Sequence, residues 1–185
     1  MDMELVMRAA AYAAEAHAKQ MRKTGDEPYI NHPLRVSHMA VRAGLGAEAV
    51  AAALLHDVVE DTERSLDDIR AVFPERVTLL VHLLTQWWAD DAPAAEKNLG
   101  KPKYYAAILA EPDAIDVKLL DRSDNLWSMV RMLPSNRGWA ERYLRRTKEE
   151  ITPVLKASRN ETAKKYYLEA VKALEAALGP ERAGR

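Results

Sequence analysis

The chain has 185 residues, a net charge of −1 and no cysteine, and these values restrict the kind of protein that it encodes. This length fits one domain with a real core and is too short for two full domains with a linker. The absence of cysteine excludes disulfides and thiolate metal sites, and the near-neutral charge gives no general attraction to nucleic acid. A membrane span needs about 18 uncharged apolar residues in a row, and the chain contains no run of that length. The N-terminus has acidic residues where a signal peptide carries basic ones. We therefore expect a cytoplasmic protein.

The composition and the spacing of apolar residues predict an all-α fold. The chain has 7 glycines and 1 phenylalanine, and its many Ala, Leu, Glu, Lys and Arg residues favour helix over sheet. We predict a single compact bundle of about eight to ten helices over residues 1–185, with a core at about 5–155 and a C-terminal helix at about 159–178. The predicted helices cover 3–20, 31–43, 47–59, 65–73, 75–88, 103–110, 113–132, 138–155 and 159–178.

Local signals indicate where the first two helices end and begin. Gly25 and Pro28 break the helical pattern, so residues 22–28 are predicted to form a loop. Asn31 is predicted to cap the second helix, with Pro33 in the first turn, where a missing N–H costs no hydrogen bond.

The central and later segments differ in how apolar they are. Residues 47–59 are apolar on nearly every side, which indicates a helix buried at the centre of the fold. Ser65 and Asp68 have the spacing of a capping box, with Asp in place of the usual Glu or Gln. Residues 89–102 are polar and contain two prolines and a glycine, so this segment is predicted to be irregular. A lid or substrate loop and a solvated connector fit it equally well.

The pattern HDVVED at residues 56–61 carries the strongest chemical signal. A His-Asp pair alone often arises by chance, whereas the acids at both Glu60 and Asp61 make the full pattern specific. On a continuous helix, residues four apart are neighbours, so His56 would lie over Glu60 and Asp57 over Asp61. Ionisable groups on a buried apolar helix are costly unless a metal or hydrogen bonds satisfy them. We therefore predict a metal pair and an acid pair on one helix face.

Two ligands do not hold a catalytic ion, so other residues must complete the site. The candidates are His32, at a helix start, and Asp121, late in an apolar helix, although each alone is more often a satisfied polar residue. Two imidazoles and two carboxylates suit Mn²⁺ or Fe²⁺, and Zn²⁺ also fits. His38 and His82 lie in amphipathic helices and are predicted to be packing or surface residues, whereas His17 stays unassigned.

Three blocks of sequence resemble the HD-domain hydrolases of the alarmone (p)ppGpp, which comprise the hydrolase half of the RelA/SpoT enzymes and the stand-alone small alarmone hydrolases. The blocks, in this order, are QMRKTGDEPYINHP at 20–33, ALLHDVVEDT at 53–62 and VKLLDRSDNL at 117–126. The similarity extends weakly from about residue 5 to residue 155. Because the chain leaves no room for a synthetase domain, we expect the stand-alone form.

The resemblance implies a role for nine residues of this sequence. The ligands of an Mn²⁺ ion would be His32, His56, Asp57 and Asp121. Glu60 and Asp61 would orient and deprotonate the attacking water. Arg22 and Lys23 would hold phosphate oxygens, and Asn125 would contact the nucleoside. Two adjacent cations in a loop are suitable phosphate clamps, although outside this context they would be read as an exposed charged turn.

The sequence departs from the family pattern around the substrate rather than around the metal. The family has Thr-Lys or Thr-Asp where this chain has Thr-Gln at 85–86, its loop between glycine and proline is often one residue shorter, and the segment 87–103 matches nothing in it. These departures leave the exact substrate open. Three lysines of this segment could contact phosphates or form a solvated basic face: Lys97, Lys101 and Lys103.

The resemblance implies hydrolysis of guanosine tetra- or pentaphosphate (ppGpp or pppGpp) to GDP or GTP and pyrophosphate. The same metal chemistry could instead act on another nucleotide, such as the 2′-phosphate of NADPH or a nucleoside monophosphate. A non-catalytic helical domain that binds a nucleotide or a protein partner is a third interpretation. The presence of all the metal-binding and acidic candidates favours an enzyme over a binding module.

Overall fold

The computed structural model describes residues 1–23, 27–88 and 92–179 of the chain. The predicted all-α fold is confirmed, because these residues form nine helices and no strand beyond an isolated bridge between Met21 and Pro28. The number of helices falls within the predicted range. They are α1 (Met3–Ala16), α2 (Asn31–Arg42), α3 (Ala47–Leu55), α4 (Val58–Asp61), α5 (Leu66–Val72), α6 (Glu75–Leu84), α7 (Ala94–Leu109), α8 (Pro112–Ala157) and α9 (Glu161–Leu178).

Helix α3 lies at the centre of the fold, as its apolar sequence predicts. Its residues from Ala49 to Leu55 are all buried, and the helix packs against α1, α2, α6 and α8. Burial of apolar surface stabilises the folded state by roughly 25 cal/mol per Å², so the contacts of this helix help to hold the surrounding helices together. Helix α8 also packs against α7 and α9. In the described ranges, no helix combines the length and the apolar character that crossing a membrane requires.

The first helix is shorter than the sequence predicts. It ends at Ala16 instead of Gln20, because the chain then turns back on itself. The backbone N–H of Tyr29 donates to the carbonyl of Gln20 (2.8 Å), which ties together the two ends of the predicted loop 22–28. Gly25, which the loop prediction used, lies outside the described residues.

The second helix begins at Asn31, as predicted, but the predicted cap is wrong. Ile30 is the N-cap residue and no side chain caps the helix, because the Asn31 amide donates to Glu27 instead (3.4 Å). Pro33 lies in the first turn, where its missing N–H is harmless. This turn also directs His32 inward, and only 1% of that residue is exposed.

The helix predicted at 47–59 is broken at the residues of greatest chemical interest. Helix α3 ends at Leu55, and α4 begins two residues after His56, with Asp57 as its N-cap residue (φ −98°, ψ −5°). The Nδ1 atom of His56 bonds with the carbonyl of Ala53 (2.8 Å), one of the groups that a helix end leaves without a partner. The prediction of one continuous helix face is therefore wrong, and the His-Asp pair occupies a bend between two helices.

Helix α6 also ends earlier than predicted, at Leu84 rather than near Trp88. The backbone N–H of Gln86 leaves the helical path because it donates to the carboxylate of Glu60 (2.8 Å). The hydroxyl of Tyr104 in turn donates to the carbonyl of Leu84 (2.9 Å). Contacts with α4 and α7 therefore end this helix.

The prediction that residues 89–102 are irregular is wrong for most of the segment. Helix α7 starts at Ala94 and contains Pro102 in its interior, whereas residues 89–91 lie outside the described part of the chain. An internal proline removes a helical hydrogen bond at a cost of roughly 3 kcal/mol. Tertiary packing offsets this cost through two side chains of α7 that are buried in the core: Tyr104 and Ile108.

The two helices predicted at 113–132 and 138–155 are confirmed as the two helical segments of α8, because a kink at Asn136, whose dihedral angles are non-helical (φ −153°, ψ 61°), separates them. The capping box at the start of α5 is confirmed. The backbone N–H of Asp68 donates to Ser65 Oγ (3.2 Å), and the N–H of Ser65 donates to Asp68 Oδ2 (2.7 Å).

Candidate active site

The four predicted metal ligands meet beside the bend between α3 and α4. We call them the histidine–aspartate cluster: His32 from α2, His56 and Asp57 from the bend, and Asp121 from α8. His32 Nε2 lies 3.4 Å from Asp57 Oδ2 and 3.3 Å from Asp121 Oδ1. His56 Nε2 lies 3.2 Å and 3.8 Å from the same two oxygens. Ligand atoms of His32, His56 and Asp57, one from each, all lie within 4.8 Å of one another, and Asp121 Oδ1 approaches both imidazoles, so residues far apart in the sequence meet here.

The opposite side of each imidazole is held by other protein groups. His32 Nδ1 lies 2.7 Å from Asp124 Oδ2, and Arg35 Nε donates to the second oxygen of that carboxylate (2.6 Å). His56 Nδ1 lies 2.8 Å from the carbonyl oxygen of Ala53, which can only accept. Protons on the two Nδ1 atoms leave the Nε2 lone pairs available, which is the usual arrangement of metal-binding histidines.

The spacing of the cluster atoms fits a divalent cation. Two ligands about 2.1–2.2 Å from an ion, at angles of about 90–110°, are about 3.0–3.6 Å apart. Three of the four N···O distances lie in this range. Within the described residues, the buried His56 Nε2 lies near two carboxylate oxygens but has the geometry of a hydrogen bond with neither, which is costly in the absence of a ligand. Nitrogen and carboxylate donors without sulfur suit a first-row divalent metal.

Opposite charges keep the cluster ionised although it is buried. Burial favours neutral His56, but Asp57 and Asp121 raise its pKa well above the usual value. Burial also opposes ionisation of the carboxylates, yet His56 and His32 lower the pKa of Asp57, and Lys118 with the two histidines lowers that of Asp121. A cation that binds between these groups would therefore displace a proton from His56.

Tyr29 connects the cluster to the acid pair. Its hydroxyl lies 2.7 Å from Asp57 Oδ2 and 2.5 Å from Asp61 Oδ2. Burial and the two carboxylates raise the pKa of Tyr29 well above its usual value, so the hydroxyl keeps its proton. Asp61 is exposed as a residue, but desolvation of its carboxylate and the charge of Asp57 raise its pKa, against the opposing effects of Tyr29 and Lys23.

Glu60 is held by Gln86 at the end of α6. Glu60 Oε1 accepts from the side-chain amide of Gln86 and Oε2 accepts from its backbone N–H, both at 2.8 Å. Burial and the charge of Asp57 raise the pKa of Glu60 to about 7. A carboxyl group with a pKa near neutrality can accept and release protons at physiological pH.

Two of the three predicted substrate residues lie next to the cluster. The guanidinium of Arg22 lies over the ring of Tyr29 (5.3 Å), and its Nη2 donates to Asn125 Oδ1 (2.8 Å). The amide of Asn125 donates in turn to Asp121 Oδ1 (2.6 Å). Lys23, the third, is exposed. Arg22 is thus linked through Asn125 of α8 to Asp121, a candidate metal ligand.

A cavity of about 300 Å³ joins these groups. Its walls include eight of the nine predicted site residues, and the exception is the fully buried His56. Of the three lysines considered in the segment 87–103, two line this cavity, Lys97 and Lys101, whereas Lys103 does not. Helices α7 and α8 contribute aromatic and basic side chains to this cavity, among them Arg122, Trp139 and Arg146. The charge of the basic side chains is opposite to that of the carboxylates in the cluster.

Three residues that position the site were not predicted from the sequence: Tyr29, Gln86 and Asp124. Tyr29 lies within the PYINHP block and Asp124 within the VKLLDRSDNL block, so the blocks contained their signal, whereas Gln86 lies where the chain departs from the family. His17 is buried and stacks on the ring of Tyr29 (4.7 Å). The two histidines predicted to be packing or surface residues are exposed: His38 and His82.

Comparisons with known proteins agree with this geometry. The HD domain family model matches residues 9–159. The chain is 35% identical over 154 residues to the guanosine-3′,5′-bis(diphosphate) 3′-pyrophosphohydrolase MESH1 of Homo sapiens, covering 82% of this chain and 83% of that protein. The MESH1 protein of Xenopus tropicalis is 33% identical to this chain over 161 residues, and the match covers 87% of that protein. A guanosine-3′,5′-bis(diphosphate) 3′-pyrophosphohydrolase of Aquifex aeolicus is 40% identical over 123 residues.

The lengths of these relatives differ. The chain spans only 17% of the Aquifex protein, and 16–20% of the next four curated relatives that it matches. Among solved structures, a metazoan orthologue of SpoT, described as hydrolysing ppGpp, superposes with a TM-score of 0.73 at 27% identity, over 91% of this chain and 94% of that one. A protein from Listeria monocytogenes superposes with a TM-score of 0.61 at 27% identity, over 83% and 97%. The chain therefore belongs to the HD domain family, in the group that includes the MESH1 pyrophosphohydrolases.

Proposed function

We propose that this chain is a divalent-metal-dependent phosphohydrolase that removes the 3′-pyrophosphate of guanosine 3′,5′-bis(diphosphate), giving GDP and pyrophosphate, or GTP from the pentaphosphate. The single observation that carries the proposal is the histidine–aspartate cluster, whose Nε2 atoms converge on two carboxylates beside an acid pair in one cavity. The names of the MESH1 relatives support the choice of substrate.

The proposed metal ligands are the four members of the cluster. Mn²⁺ is the proposed ion, with Fe²⁺ and Zn²⁺ as alternatives, because imidazole and carboxylate donors accept all three. When bound, a divalent cation supplies Lewis acidity that polarises a phosphoryl oxygen and promotes deprotonation of water. Asp124 and Ala53 fix the two imidazole rings through Nδ1, so the ligand atoms are oriented before the ion arrives.

Glu60 and Asp61 orient the attacking water and accept its proton. The pKa of Glu60, about 7, suits a group that takes a proton at neutral pH and returns it afterwards. Gln86 holds Glu60 with two hydrogen bonds, and Tyr29 holds Asp61 with one. These contacts keep the acids in place while the proton moves.

Arg22, Lys23 and Asn125 bind the substrate in this proposal. The guanidinium of Arg22 is fixed against Tyr29 and Asn125, so it offers donors in a fixed geometry to phosphate oxygens. Asn125 has an amide within reach of both the cluster and the cavity, which suits a contact to the nucleoside next to the reacting phosphate. Lys23 adds a positive charge near Asp61.

A panel of nucleotides tests the substrate. The purified chain, with Mn²⁺ added, is incubated separately with ppGpp, NADPH and nucleoside monophosphates, and the products are resolved by anion exchange. We expect GDP and pyrophosphate from ppGpp. Orthophosphate released from NADPH or a monophosphate, with ppGpp left intact, would reject the proposed substrate and identify another one.

The variant Asp61→Asn tests the proposed chemistry. Since it removes a proton acceptor and keeps the shape, we expect kcat to fall by about 100-fold or more with unchanged metal content. Asp67→Asn is the control, because Asp67 is an exposed carboxylate on α5. Near-normal turnover by Asp61→Asn would contradict the assigned role.

A further inference from the structure

The side of the cavity formed by α7 and α8 carries more positive than negative charge. Lys101, Arg122 and Arg146 all approach a single carboxylate, that of Glu150, with N···O distances of 2.6, 3.7 and 4.0 Å. Among the described residues these three cations form ion pairs with no other carboxylate, so three positive charges and one negative charge leave +2. We call these four residues the basic wall.

Not every N–H group of the basic wall donates a hydrogen bond within the described part of the chain. Glu150 accepts from Lys101 and also from the hydroxyl of Tyr105 (3.1 Å). Arg122 is only 7% exposed and donates one hydrogen bond to the hydroxyl of Tyr143 (3.0 Å). Its Nε has no partner in the described part of the chain. Buried charged groups are normally paired and fully hydrogen-bonded, so this guanidinium is incompletely satisfied.

An aromatic ring holds the two guanidinium groups of the basic wall in place. Arg122 and Arg146 lie 5.7 and 5.6 Å from the centre of the Tyr143 ring. Guanidinium groups that are stacked in this way lose little entropy when they bind, and their geometry matches two oxygens of a phosphate. All four members of the wall line the same cavity as the histidine–aspartate cluster.

We infer that the basic wall is a second anion subsite, which binds the phosphate group at the end of the nucleotide that is not hydrolysed. The inference rests on the proposed function, because it assumes a nucleotide with phosphate groups at two positions. For guanosine 3′,5′-bis(diphosphate) this group is the 5′-diphosphate. In the free protein the three cations form ion pairs with Glu150. A diphosphate that binds here interacts with the same cations while Glu150 stays beside them.

One member of the basic wall lies outside the sequence blocks that resemble the family. Lys101 belongs to α7, in the segment 87–103, whereas Arg122 lies in the block at 117–126. A subsite built partly by this helix would therefore set the preference for a second phosphate independently of the metal chemistry. Binding energy from a part of the substrate that does not react lowers KM without raising kcat when ground state and transition state use it equally.

The test compares two double variants with the same change in charge. K101Q/R146Q removes two cations of the wall and leaves Arg122 paired with Glu150, so no buried charge is stranded. R145Q/K103Q is the matched control, because both residues are exposed on the same two helices and neither lines this cavity. The full chain is titrated calorimetrically with GDP, guanosine and pyrophosphate, and kcat and KM for ppGpp are measured in parallel.

We expect K101Q/R146Q to weaken GDP binding by about 10-fold and to leave guanosine binding unchanged, while the control pair leaves both unchanged. The KM for ppGpp should rise by a similar factor with kcat within about twofold of the parent protein. A third variant, Glu150→Gln, raises the charge of the wall and should change GDP affinity in the opposite direction.

Three outcomes would overturn the inference. They are unchanged affinity of K101Q/R146Q for both GDP and pyrophosphate, an equal loss for GDP and guanosine, and a loss for pyrophosphate with GDP unaffected, which would assign the wall to the leaving group. If the parent protein does not hydrolyse ppGpp, the proposed function fails, but the contrast between GDP and guanosine still decides whether the wall binds a 5′-diphosphate.

Discussion

The histidine–aspartate cluster and the basic wall line one cavity but have opposite electrostatic needs. The cluster gathers two carboxylates around two imidazole nitrogens, and protons on His56 balance it when no cation is bound. The wall gathers three cations around one carboxylate, that of Glu150. Burial acts to raise the pKa of Glu150, but Lys101, Arg122 and Arg146 outweigh this effect and lower it. The first therefore needs a cation and the second an anion.

Opposite charges at its two ends would allow one cavity to orient an extended anionic substrate. In the proposed complex, a cation at the cluster would attract the phosphate group that reacts, and the wall would attract a phosphate group that does not. The two ends also differ in burial, since the cluster histidines are nearly inaccessible whereas half of the Arg146 side chain is exposed. Changes at the cluster should therefore abolish chemistry, and changes at the wall should alter binding.

The largest expected effect comes from His56→Ala. This variant removes a candidate ligand from a buried position, so we expect the loss of bound metal and a fall in kcat of about 1,000-fold or more. Metal content by mass spectrometry and turnover check it, with exposed His38→Ala as the control. Retention of metal by His56→Ala, or loss of metal from K101Q/R146Q, would contradict the separate roles of the cluster and the wall.

Asp124→Asn should have the next largest effect. Asp124 accepts from His32 Nδ1 and from Arg35, so its loss frees the imidazole to rotate and weakens metal binding by about 10–100-fold. Metal titration followed by activity measures this change. Asp116→Asn is the control, because that carboxylate of α8 accepts from Ser158 instead. Equal metal affinity in both variants would show that the Asp124 contact does not orient the ligand.

Glu60→Gln should change the free energy of unfolding in a pH-dependent way, when measured after a chelator has removed any bound metal. The folded-state pKa of Glu60, about 7, lies above its usual 4.5, so ionisation of this group destabilises the fold as pH rises through this interval. The variant removes that cost, and we expect stabilisation of about 2 kcal/mol at pH 8 and almost none at pH 4.5. Denaturant unfolding at both values measures it, and a pH-independent difference would contradict the assignment.

Gln86→Ala should have the smallest effect. The substitution removes the side-chain amide that donates to Glu60 Oε1 and keeps the backbone N–H that donates to Oε2, so it should lower kcat by about 10-fold without changing KM or metal content. The adjacent Trp87→Ala, whose side chain is mostly exposed, is the control. A rise in KM for Gln86→Ala with kcat unchanged would place this residue on the binding side of the comparison instead.

The sequence alone determined the fold class and the chemical identity of the cluster. Helical periodicity and a nearly all-apolar segment predict a bundle with α3 at its centre, and the HDVVED pattern predicts a site, because ionisable residues in a buried segment are costly unless a metal or hydrogen bonds satisfy them. The capping box of Ser65 and Asp68 was also readable, because its hydrogen bonds join residues three apart. Signals of this kind are local or periodic.

Contacts between distant parts of the chain determine how these groups are held. The break at His56, the helical conformation of the segment that includes Pro102, and the attachment of Glu60 to Gln86 depend on contacts between distant residues, which override local propensity. The basic wall has no motif, because its members come from α7 and from two separate turns of α8, and only packing brings them to one carboxylate. Local patterns thus specify which groups are present, and long-range packing specifies which charges share a cavity.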